Sequence, residues 1–148
     1  MFYQWNRKTA WAATGAVTGW DYSNPTGPAW EKINDPSPVG WRVPTSSEIQ
    51  KLLDANKVSN VWTTQNGVNG RKFTDKATGN SIFLPATGRR NNGDGMINYI
   101  GSSAGYWNST QEEEKKIRFA YYLGFYSVSS SWGKYQCNFG YPIRSVAE

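Results

Sequence analysis

Residues 120–128, Ala-Tyr-Tyr-Leu-Gly-Phe-Tyr-Ser-Val, read as a β-strand around which the chain is organised. Side chains alternate along a strand. Tyr121, Leu123 and Phe125 therefore fall on one side, and Tyr122, Gly124, Tyr126 and Val128 on the other. The next segment, Ser129-Ser-Ser-Trp-Gly-Lys-Tyr-Gln-Cys-Asn-Phe-Gly140, has no core period and many side chains suited to contact. It reads as a display loop. Tyr141-Pro-Ile-Arg-Ser-Val146 then reads as a closing strand, giving a strand, a loop and a strand on a scaffold built by the upstream residues.

The bulk composition bounds what such a chain does. At 148 residues it is expected to form one domain, burying about two-thirds of its unfolded surface. Eight Trp and nine Tyr are many for this length, and these residues serve equally as core filler and as contact anchors. A net charge of +5 suits an acidic partner. The basic residues are scattered, however, and the tight cluster Lys115-Lys116-Ile117-Arg118 follows Glu112-Glu113-Glu114, so nucleic acid is not the expected partner. No apolar run approaches the length of a membrane-spanning helix. Met1-Phe-Tyr-Gln-Trp5 opens straight into polar sequence without a visible signal peptide, so export would imply a trimmed chain. A single cysteine, Cys137, excludes an internal disulfide. The lack of His removes the usual base and metal ligand, and no cofactor is expected.

Residues 1–40 form a coil-rich lead-in where Trp5, Trp11, Trp20 and Trp30 are expected to pin the backbone to the core, each by about 2–3 kcal/mol of burial. Thr45 or Ser46 caps a helix, with Glu48 at the capping-box spacing from Thr45. Ile49, Leu52 and Leu53 give it an apolar stripe, and it is expected to end near Asn56. Short strands are expected at 59–62, 71–73, 81–86 and 105–110, a loop over 88–103, and a helical turn or mobile excursion over 111–118.

Seven segments stand in a recognisable order: Tyr3-Gln-Trp5; Asn34-Asp-Pro-Ser-Pro-Val-Gly-Trp-Arg-Val-Pro-Thr45 with Glu48; Gly67-Val-Asn-Gly-Arg-Lys-Phe73; Gly79-Asn-Ser-Ile-Phe-Leu-Pro-Ala86; Gly105-Tyr-Trp-Asn-Ser-Thr110; Ala120-Tyr-Tyr-Leu-Gly-Phe125; and Ile143-Arg-Ser-Val146. In these the chain resembles the bacterial family named after the major paralogous domain of Fibrobacter succinogenes, over nearly its whole length. The resemblance implies an α+β domain of C-type-lectin-like fold, in the formylglycine-generating-enzyme branch, with a small twisted antiparallel sheet, one or two helices and long loops. It also implies a bacterial surface protein or a phage-particle protein. In some relatives a diversity-generating retroelement rewrites codons near the C-terminus to vary a ligand-binding face. That family usually has a Cys pair where this chain has Ser37 and Ser145, so the two positions are expected to be neighbours. Asn108 replaces a commoner Ser and is either a rewritten position or neutral drift.

The candidate ligand-binding set is Asn108, Tyr122, Tyr126, Ser129, Ser130, Ser131, Trp132, Lys134, Tyr135, Gln136, Cys137 and Asn138. Rings give contact area at low entropy cost, and Ser and Asn adapt hydrogen bonds, as in antibody-type paratopes. Cys137 is read as exposed. Two alternatives stay open: an ordinary hairpin with Trp132 folded back onto the core, and a buried second face holding Tyr122 and Tyr126 beneath the 88–103 loop. Enzyme chemistry is not expected, because one cysteine cannot form a reactive pair and Glu48, Asp54, Asp75, Asp94 and Glu112 show no paired spacing. Glu48 is read as a cap. Asn91-Asn-Gly-Asp-Gly95 is read as a turn, because it lacks the spacing and terminal Glu of an EF-hand loop. The expected partner is a protein or glycan ligand on a cell surface, bound by a possible oligomer, with a fixed adhesive module as the alternative to a diversified receptor-binding protein.

Overall fold

The computed structural model describes residues 1–25, 27–114 and 117–148, with side chains of 112–117 left aside. The strands are β1 (Tyr3–Gln4), β2 (Trp41–Arg42), β3 (Val58–Gln65), β4 (Val68–Asp75), β5 (Ser81–Pro85), β6 (Arg89–Arg90), β7 (Ile97–Asn98), β8 (Ser103–Glu114), β9 (Ile117–Tyr126), β10 (Ser130–Gln136), β11 (Gly140–Tyr141) and β12 (Val146–Ala147). One α-helix, α1 (Ser46–Lys51), lies between β2 and β3. Four small antiparallel sheets result, ordered β1-β11-β6-β7, β10-β9-β8, β12-β2 and β3-β4-β5. With 44% of residues in strands and 6% helical, the fold is β-rich, which overturns the expected α+β class.

The helix shows why the class was misjudged. Its start is as the sequence implies: Thr45 accepts from the Glu48 amide and Glu48 reaches back to the Thr45 amide, a complete capping box. It then stops at Lys51, short of Asn56, and Leu52 and Leu53 pack from the following turn. Meanwhile segments expected to be loops pair as strands. The 88–103 stretch contains β6 and β7, and the supposed display loop contains β10. Residues 111–114 continue β8 and 117–118 open β9, in place of a helical turn. Lys115 and Lys116, from the basic cluster, lie outside the described residues.

Two apolar clusters hold the layers together. Ile49, Phe73, Leu84, Tyr106, Leu123 and Phe125 join α1 and the β3-β4-β5 sheet to one face of the β8-β9-β10 sheet. Trp5, Trp30, Val43, Trp107, Phe139 and Tyr141 fill the other side. Three of the four lead-in tryptophans, Trp5, Trp20 and Trp30, are buried as expected, while Trp11 is half-buried against Trp20. Trp5 Nε1 donates to the Asn108 carbonyl at 2.8 Å, Trp20 Nε1 to that of Asn92 at 3.0 Å, and Trp30 Nε1 to that of Asn34 at 2.9 Å. Arg90 is fully buried and donates to the carbonyls of Ala12, Gly15 and Gly95, tying the lead-in to β6.

Candidate functional site

The antiparallel register of β9 and β10 fixes where the predicted contact residues point. Trp132 is paired with Leu123, Lys134 with Tyr121 and Ser130 with Phe125, so these lie on the side of the Leu123–Phe125 core. Ser131 pairs with Gly124, Gly133 with Tyr122 and Tyr135 with Ala120, on the opposite side. The predicted set therefore straddles a sheet and does not form one face. Trp132 is 36% exposed and stacks on Tyr121, with ring centroids 4.1 Å apart and planes 6° from parallel. The Lys134 ammonium stands 5.9 Å from the Phe119 ring centroid. Ser129 and Ser130 are half-buried, and Ser130 Oγ donates to Asn60 Oδ1.

Five predicted positions are structural. Asn108 is fully buried, and its Oδ1 accepts from the Thr110 amide at 2.9 Å and Ser46 Oγ at 3.1 Å, bracing β8 against α1. Cys137, read as exposed, is fully buried within the tryptophan cluster, and burial pushes its thiol up to about 12. The core demands a small apolar group there, which Cys supplies. Gln136 accepts from Asn92 Nδ2, and the half-buried Asn138 accepts at its carbonyl from Gln4 Nε2. Tyr135 is half-buried, edge-on to Phe139 and Tyr122.

Tyr122, Tyr126 and Ser131 instead meet at a cleft that the sequence reading did not locate. It encloses about 280 Å³ between β8-β9-β10 and the segment from Gly88 to Ser103. Gly124, which lines it, stands opposite Gly105 in a cross-strand glycine pair. A Cβ on Gly124 would come within 2.7 Å of the Tyr122 ring, and one on Gly105 within 2.5 Å of the Tyr141 ring. The absence of side chains there lets Tyr122 lie flat across the sheet and stack on Tyr141, planes 11° from parallel and centroids 5.2 Å apart. Burial raises the pKa of both phenols, so both are neutral at ordinary pH. This is the buried second face weighed from the sequence, but it is open on one side: Tyr126 is 50% and Tyr99 57% exposed.

Arg89 gives the cleft its charge. The guanidinium carbon sits 5.2 Å from the Tyr99 ring centroid, 4.8 Å from that of Tyr135 and 4.9 Å from that of Phe139. Burial opposes its charge, and the hydroxyls of Tyr141 and Tyr135 more than compensate, leaving its pKa above the ordinary value. Among the described residues no carboxylate oxygen approaches it within 4.0 Å, and its Nε is buried without a hydrogen-bond partner. Tyr99 has φ +64°, a left-handed conformation that a bulky side chain adopts at a cost of about 1–2 kcal/mol. Its carbonyl is held there by the amides of Ser102 and Ser103, both at 3.1 Å. Arg89 and Tyr99 were missed because the 88–103 stretch reads as a plain polar loop. The signal available was three aromatic or cationic residues, Arg89, Arg90 and Tyr99, among turn formers.

The Asn91–Gly95 stretch is a turn, with the Gly95 amide on the Asn91 carbonyl and the Met96 amide on Asp94 Oδ1. Among the described residues no group of three or more His, Cys, Asp or Glu side chains is placed to hold a metal. No helix among them is long and apolar enough to cross a membrane.

The described residues form a β-rich fold with an aromatic-lined cleft. The chain belongs to the family described as Domain of unknown function (DUF8237), which matches residues 53–146, from the turn after α1 to the first residue of β12. No curated protein and no solved structure matches the chain.

Proposed function

We propose that this domain binds a small ligand group in the Arg89–Tyr99–Tyr122–Tyr126 cleft, as a receptor-binding or adhesive module of a bacterial surface or phage particle. The observation that carries this reading is the cleft itself. Rings, hydroxyls and one cation with no carboxylate partner among the described residues converge on a concave space near the small end of the range for small-molecule sites. A strained Tyr99 at its rim fits a site whose geometry is held at a cost in stability.

The same geometry favours the fixed module over a freely diversified one. Substitution at Asn108 or Cys137 strikes the core and not a contact surface. Rewriting by a retroelement would have to spare both and confine itself to exposed positions such as Ser131, Trp132 and Lys134. A near-copy of the 3′ coding end whose adenine differences fall on those codons would support diversification; no such copy supports the fixed module.

Amide shift mapping with a library of sugars, amino acids and aromatic acids tests the binding reading. Perturbations converging on residues 88–89, 99 and 122–126 are expected. Convergence on the apolar cavity between Trp41, Ile49, Ile82 and Val146 would instead locate the site there.

A further inference from the structure

We infer that the cleft takes the uronic acid residue of an acidic glycan, its carboxylate on Arg89 and its ring against the tyrosines. This rests on the cleft being the binding site and names what it holds. Three aromatic rings around the guanidinium offset part of its desolvation through their negative faces, but no carboxylate neutralises it among the described residues. A half-buried cation in that state is set to receive an anion, and the planar fork of Arg matches a carboxylate. The +5 net charge draws the domain toward polyanions in the same sense.

The rest of the lining argues for a sugar acid over a bare anion. The half-exposed Tyr126 and Tyr99 rings offer apolar faces to the C–H side of a pyranose, beside the Tyr122 ring that also lines the space. Ser103 and Ser131 line the same space and bring hydroxyls that exchange hydrogen bonds with sugar hydroxyls. A bare phosphate or sulfate can accept from the serines but leaves the ring faces unused.

Calorimetric titration of the domain with trigalacturonate and triglucuronate, each beside its neutral galactose or glucose counterpart and beside inorganic sulfate, tests the inference. The uronates are expected to bind about tenfold or more tightly than the neutral sugars and sulfate. Arg89→Gln is expected to erase that preference. Tyr99→Gly, which relieves the left-handed strain and so keeps the fold, is expected to weaken uronate binding while leaving melting unchanged or raised. Equal binding of acidic and neutral sugars, both lost in Tyr99→Gly, would overturn the uronate assignment and leave the cleft as the site. Sulfate binding as tight as uronate would reduce the site to a simple anion site. Uronate binding that is unchanged in both variants would place the sugar elsewhere and overturn the cleft as well. No binding of any uronate overturns the assignment, and the amide mapping above then decides the cleft independently.

Discussion

Tyr121 and Trp132 stack across β9 and β10 with their rings nearly parallel and 4.1 Å between centroids, at the β10 edge of the sheet. The pair explains how a tryptophan sits in open sequence without joining the core. Trp132→Ala removes one aromatic contact and is expected to cost about 1 kcal/mol. Tyr135→Ala, three residues on and on the other face, breaks packing against Phe139, Tyr122 and Arg89 and is expected to cost about 2–3 kcal/mol. Urea unfolding of the two variants checks the order. Equal costs would mean that the sheet does not separate the two side chains.

Ser37 and Ser145 are 108 positions apart, yet their hydroxyl oxygens are 2.7 Å apart in a hydrogen bond. The sequence resemblance implies that Cys can occupy both positions, and the contact shows that the side chains meet. Ser37→Cys with Ser145→Cys is expected to close a disulfide around a long loop and to stabilise by about 2–4 kcal/mol. Cys137 is buried and does not compete. Melting in oxidising buffer should rise and return on adding reductant. Two free thiols at those positions, or unchanged melting, would contradict the contact.

Glu48 carries the acid sensitivity of the α1 entry. A two-pronged hydrogen bond from Arg42, with bonds from the Thr45 amide and hydroxyl, pulls its carboxyl from 4.5 down to about 2. The folded state therefore prefers the ionised form. The stabilisation is complete above about pH 4.5 and is lost as pH falls toward 2. Asp21 and Asp75, also lowered, lose stability in the same direction. Glu48→Gln is expected to be less stable than the parent at pH 6, with the gap narrowing by pH 2.5. A gap constant across that range would show that the carboxylate is not what the Arg42 pair holds.

Gly124→Ala places a methyl 2.7 Å from the Tyr122 ring, opposite Gly105, and forces the ring off the sheet. A cost of about 1–3 kcal/mol is expected, with a changed near-ultraviolet tyrosine signal and loss of cleft binding. A silent substitution would mean that the glycine pair does not set the place of the Tyr122 ring.

Local signals in the sequence placed the capping box, the tryptophan anchors and the alternation of residues 120–126, because each depends on neighbours in the chain. The Asn66-Gly67 turn was equally legible. Both residues have positive φ and close a two-residue hairpin between β3 and β4. The fold class failed for a different reason. Strands such as β6, β7 and β10 are rich in Gly, Ser, Asn or Arg and become strands only through their partners. The site failed likewise: Asn108 and Cys137 look adaptable in sequence and are buried by long-range packing, while Arg89 gains its meaning from rings ten to fifty residues away.

The most direct test of the account is a glycan array probed with the parent domain, Trp132→Ala and the double variant Tyr99→Gly with Tyr126→Ala. The cleft account predicts that Trp132→Ala retains the parent's pattern and the double variant loses it while remaining folded. Retained binding in the double variant, with loss in Trp132→Ala, would move the contact surface to the Tyr121–Trp132 side of the sheet and contradict the cleft.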